Sequence, residues 1–201
     1  MSKDELVERL HRIRAAVGEV MEGDLAKFPP NVIADENGFS VYQDFLGSLS
    51  GPQISNLAHS LLHNIASLRD NLKSWARKNG RDPQRIEQAF NNSEDLKLVT
   101  DLWDQEKHPG PRRDGGYSKK SPTLVDIRRI LRLETLPEAG SFIGISLTAK
   151  GVSKIGSGTS PVIITGTIVD KNGGVLGDLY GVCLNAVMAW ERELKQLGLT
   201  I

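Results

Sequence analysis

The chain predicts an α+β fold: mainly a helical bundle, with a small antiparallel β-sheet near the C-terminus. Three observations predict it. Ile54, Ala58, Leu61, Ile65, Leu68, Leu72 and Trp75 recur at alternating steps of four and three, which holds one stripe of an α-helix against a core. Alternating, β-branched runs come only later, at residues 141–149 (SFIGISLTA) and 161–170 (PVIITGTIVD). A last helical period then closes the chain over residues 178–196.

Taken in order, residues 3–21 read as an amphipathic helix, with Ser2 and Glu5 placed as a capping box. Leu6, Leu10, Ile13, Val17 and Val20 form its apolar stripe. Arg9, Arg12, Arg14 and His11 lie off that seam, among Glu5, Glu8 and Glu19, as a solvated charged face. Residues 23–51 are broken by Pro29, Pro30, Asn37-Gly38 and Gly47, and read as a connector with a short helical piece around residues 41–46. Ser50 and Pro52 mark the start of the central helix, and Gly80 its end.

Residues 84–107 are helical with a break at Asn91-Asn92-Ser93. Ser93, Glu94 and Asp95 open the second part, where acids suit the helix dipole. Leu96, Val99, Leu102 and Trp103 give that part its stripe. The two long helices are expected to pack antiparallel over Leu61, Ile65, Leu68, Val99, Leu102 and Trp103. Residues 108–122 form a loop, and residues 123–133 support a helix or a strand equally. Residues 151–158 read as a glycine-rich connection. Residues 170–174 turn the second strand into a hairpin with Val175-Leu176. Leu179, Val182, Cys183, Ala186, Val187, Trp190 and Leu194 face the core from the last helix. The expected organisation is one domain over residues 1–201, with a helical core in 1–110 and the sheet and final helix in 123–201.

Composition narrows the partners. Lys+Arg and Asp+Glu number 25 each, so no global field favours nucleic acid or membrane, and any such contact needs a local patch. The single cysteine, Cys183, rules out an internal disulfide and fits a reducing compartment. No apolar run approaches the ~20 residues of a membrane span, and the charged N-terminus lacks a signal-peptide core. A cytoplasmic protein with no membrane partner is expected.

Titratable groups border the apolar seams. His59, His63 and Asp70 share a side of the central helix, and Asp101, Asp104 and His108 share a face of the next one. In an antiparallel pair, Asp70 and Asp101 would face each other with His63 and His108 nearby. His63, Asp70, Asp101 and His108 are therefore the candidate catalytic set, a histidine base oriented by a carboxylate. The same groups, with Arg69, can instead satisfy one another as a buried network. A metal is not expected, because the histidine pair lacks the glutamate of a zincin. Nor is a cofactor: no phosphate loop is present, and Gly156-Ser157-Gly158 is only half of a nucleophile elbow. Residues 170–178 lack the closing glutamate of a calcium loop. Arg112, Arg113, Lys119 and Lys120 surround Tyr117 as the one basic run with an aromatic inside it, a candidate nucleic-acid contact.

LLHNIASLRDNL, followed about thirty residues on by DLWDQEKH, resembles a broad group of uncharacterised bacterial proteins with a HEPN-like helical core. The matching positions are His63, Arg69, Asp70, Asp101, Lys107 and His108, with a looser likeness at Trp190-Glu191. Ribonuclease members of that group carry an Arg, four to six residues, then a His on one helix. This chain has no such spacing, and Asp104 stands in place of the pattern's Asn. The resemblance thus implies a helical bundle and a non-enzymatic or degenerate HEPN-like protein that binds a protein or RNA partner, with a homodimer as one form. Its alternative is a metal-independent ribonuclease using a His/Asp pair of the core.

Overall fold

The computed structural model describes residues 3–21, 23–24, 30–35, 38–42, 49–107, 114–148 and 151–198. Its helices are α1 (Lys3–Met21), α2 (Gly51–Lys78), α3 (Gln84–Asn91), α4 (Glu94–Lys107) and α5 (Leu179–Gln196). Its strands are β1 (Gly23–Asp24), β2 (Asn31–Asp35), β3 (Gly38–Tyr42), β4 (Thr123–Leu131), β5 (Ile143–Thr148), β6 (Gly151–Gly156), β7 (Pro161–Val169) and β8 (Val175–Asp178). The fold class is α+β.

α2 starts where the sequence punctuates it. Pro52 occupies the first turn, and the Ser50 N–H donates to Gln53 Oε1 at 2.7 Å. It ends at Gly80, whose φ of +64° lets the Arg81 N–H return to the Ala76 carbonyl at 2.8 Å. All seven stripe residues from Ile54 to Trp75 are buried. α4 begins with the Leu96 N–H on Ser93 Oγ (3.3 Å) and buries Leu96, Val99 and Leu102, with Trp103 partly covered. His59 of α2 meets Glu106, and His63 meets Trp103, so α2 and α4 run antiparallel. α5 lies against this pair, its Trp190 indole N–H donating to the Ile65 carbonyl at 3.3 Å inside the core. Cys183 on α5 is fully buried, and that burial pushes its thiol well above the ordinary range. Leu6, Leu10 and Ile13 of α1 join the same core, together with Ile163, Ile164 and Ile168 of β7.

β7 is the centre of the sheet. β4 pairs antiparallel along one edge, while β1 and β8 take successive parts of the other. β5 and β6 form a ribbon, Ile143↔Gly156 to Thr148↔Gly151, inserted between β4 and β7. The residues around its base continue the ladder: Glu134 and Thr159 exchange hydrogen bonds at 3.0 and 2.8 Å. β4 and β7, with β5 and β6, therefore make one long β-arm whose far end is the ribbon.

The structure corrects two expectations and decides a third. Val41 and Tyr42 are not helical but end β3, which pairs with β2 from Asn31↔Tyr42 to Asp35↔Gly38. Alternation in GFSVY outweighs helical period over so short a segment. Residues 43–48 lie outside the described ones. Residues 151–156 are a strand, since each of them has a cross-strand partner on β5 that a lone glycine-rich segment would lack. Residues 123–131 are a strand because β7 offers a full-length partner. No helix among the described residues is long and apolar enough to cross a membrane.

Candidate functional site

The polar stripe of α2 and α4 divides into two places. At one end, the His63 ring lies on Trp103 with centroids 4.3 Å apart, and the Lys107 ammonium sits 4.7 Å from the centroid of the same indole. Burial against neighbours, then the positive charges of Lys107 and Arg9, lower the His63 pKa below its ordinary 6.5. One helical turn away, His59 Nδ1 stands 3.3 Å from Glu106 Oε2. His63 and Asp70 are both exposed.

At the other end, Asp101 is buried at 2 % exposure and both its oxygens are engaged. The Tyr117 N–H donates to Oδ1 at 2.8 Å, and the Ser118 N–H and hydroxyl donate to Oδ2 at 2.8 and 2.6 Å. A carboxylate with three charge-assisted donors is well compensated for its burial. The loop at residues 114–121 is shaped to deliver those donors. Gly115 and Gly116 adopt φ of +76° and +74°, and the Ser121 N–H closes back on the Gly115 carbonyl at 3.0 Å. A Cβ on Gly116 would collide with the Asp101 carboxylate, so this position requires glycine twice over.

Fixing the loop backbone also fixes Tyr117. Its ring meets Phe90 edge-on at 5.2 Å, and the Arg69 guanidinium lies 3.9 Å from the Phe90 centroid and 4.9 Å from that of Tyr117. Arg69 also pairs with Glu87 of α3 at 2.5 Å, and Lys73 closes on the second Glu87 oxygen. Burial alone would raise the Glu87 pKa, but the hydrogen bonds from Arg69 and Lys73 outweigh it and hold the group below 4.5. Burial would likewise lower Arg69, yet Glu87 and Tyr117 outweigh it and raise its pKa.

Of the candidate set, then, Asp70 and Asp101 do not meet: one is exposed, and the other is enclosed by Tyr117 and Ser118. Arg69 belongs to a network as expected of it, but its partner is Glu87, which sequence spacing did not single out. The available signal was the i, i+4 pair of cations, Arg69 and Lys73, whose spacing lets both reach one carboxylate from a neighbouring helix. His108, Arg112 and Arg113 lie outside the described residues. Lys119 is exposed, in a left-handed conformation with φ of +64°, whereas Lys120 is paired with Glu94 at 2.9 Å. Among the described residues no three His, Cys, Asp or Glu side chains converge as metal ligands would.

No family model matches the chain, and no curated protein or solved structure matches it either.

Proposed function

We propose that the protein is a non-catalytic, HEPN-like binding protein that engages a protein partner. The observation behind this reading is the engagement of Asp101: the best-placed carboxylate of the polar stripe gives both oxygens to the loop at Tyr117 and Ser118. A general base or nucleophile needs a free lone pair within reach of substrate, and Asp101 has neither exposure nor a free oxygen edge. Arg69, with Glu87 and two aromatic rings around it, is held in the same way.

A protein partner is favoured over nucleic acid by what is exposed. Lys120 is neutralised by Glu94. On the β5–β6 ribbon, Leu147 and Ile155 are 57 % and 49 % exposed, and Phe142 at its base is 58 % exposed. Lys154, the ribbon's charged side chain among the described residues, folds onto the Gly158 carbonyl at 2.7 Å. Such a surface suits an apolar protein face and offers a phosphate backbone little.

A second reading keeps one observation in its favour. His63 is exposed and its pKa is lowered, so at neutral pH its ring is a free base that a metal-independent ribonuclease could use. The test is RNA cleavage by the wild-type protein against His63→Ala and Asp70→Ala, with thermal midpoints measured on each. The binding reading expects no turnover from any of the three. Cleavage by the wild type that vanishes in either variant, at an unchanged midpoint, overturns it.

A further inference from the structure

A cleft of about 410 Å³ opens beside β4 and β7, at the end of the sheet where α5 begins. Its walls carry Arg128, Arg132, Thr165 and Thr167, with Ile130 and Ile163 as an apolar floor and Asp178 at one side. That volume is in the range of small-molecule sites.

The placement of the arginines follows from an irregularity. Val125 opposes Thr167 and Arg128 opposes Thr165, so two residues of β4, Asp126 and Ile127, lie against one of β7, Gly166. The extra residue is accommodated at Asp126, which takes a φ of +53°. In a regular ladder Ile127 would oppose Thr165, and Arg128 and Arg132 would fall on the opposite face. The bulge re-aims both arginines into the cleft.

The cleft's polar groups divide into those already engaged and those left over. Arg132 pairs with Glu134 at 2.6 Å and lies 4.9 Å from the Tyr180 centroid. Asp178 caps α5, accepting from the Gly181 N–H at 2.9 Å. Arg128 has no acidic partner among the described residues. Thr165 is 93 % buried by its 7 % exposure, lines the cleft, and its hydroxyl meets no hydrogen-bond partner among the described residues. Thr165 stands directly across the ladder from Arg128, so its hydroxyl and that guanidinium are offered to the cleft together.

We propose that this cleft binds a phosphate monoester, with Arg128 and the Thr165 and Thr167 hydroxyls holding the phosphate and Ile130 and Ile163 holding its apolar body. Donors arriving from two strands in several directions suit a tetrahedral oxyanion better than a planar carboxylate. The site is separate from the polar stripe of α2 and α4, so it stands whether or not the protein is a binding protein.

Phenyl phosphate is the probe, titrated calorimetrically into the full chain, with inorganic phosphate and benzoate as separate arms. Saturable phenyl phosphate binding is expected, with inorganic phosphate weaker and benzoate weaker still. Arg128→Ala should weaken it at least about tenfold, and the isosteric Thr165→Val about fivefold. No saturable binding at roughly 10 mM overturns the proposal. So does equal affinity for benzoate, or binding by both variants at wild-type strength.

Discussion

At the scale of single residues, burial decides what each polar group can do. Asp101 has its two oxygens filled by three donors, so its role is to pin a loop. Asp101→Asn keeps the size but removes the charge and turns an amide N–H toward a donor; a loss of about 2–4 kcal/mol in denaturant unfolding is expected. Gly116→Ala should act at the same point, costing about 1–3 kcal/mol through its left-handed φ and its crowding of Asp101. If either variant unfolds at the wild-type midpoint, the loop is not pinned there. Glu87 supplies a pH signature. Its folded pKa lies below the ordinary 4.5, so the unfolded chain takes up the proton first. The stability that Glu87 gives is therefore present above about pH 4.5 and lost as the pH falls through the folded value. Glu87→Gln should flatten the fall in stability over that acid window. An unchanged slope would remove Glu87 from the balance.

At the scale of elements, helices were legible in the sequence wherever one apolar stripe met one core. α1, α2, α4 and α5 follow their periods closely, and the break before α4 sits at Asn91-Asn92-Ser93 as the residue types require. Strands were legible where a partner was implied by a turn, as with β7 and β8. They were not legible at β1, β2, β3 and β6, whose identity depends on pairing rather than on their own few residues. The same limit hid the site. Helical spacing gives a direction around an axis but not which residues of a distant loop arrive there, so Tyr117 and Ser118 could not be assigned to Asp101. Helix packing itself is testable at Ile65, fully buried on α2 and carrying the carbonyl that receives the Trp190 indole. Ile65→Ala leaves a cavity between α2 and its neighbours and should cost about 2–5 kcal/mol. A thermal midpoint unchanged by this truncation would mean that α2, α4 and α5 do not share that contact.

At the scale of the whole molecule, a compact core carries an arm that adds little to it. Buried residues from α1, α2, α3, α4, α5 and β7 form one cluster, and among the described residues none from β5 or β6 belongs to it. A two-stranded ribbon is marginal by itself, and this one leaves Leu147 and Ile155 about half exposed. Two accounts of it make opposite predictions. If the ribbon stabilises the sheet, deleting residues 143–156 and closing the arm with a short turn should lower the thermal midpoint. If it is a surface for a partner, the core should not register the loss, because the ladder at Glu134 and Thr159 ends the arm on its own. The second outcome is expected: a midpoint within about 2 °C of the wild type, which corresponds to about 0.5–1 kcal/mol at most for a chain of this size. The exposed apolar side chains should also make the intact protein bind a hydrophobic dye more strongly than the shortened one. A large fall in the midpoint, or equal dye binding by the two proteins, would place the ribbon with the core and remove it as the partner surface.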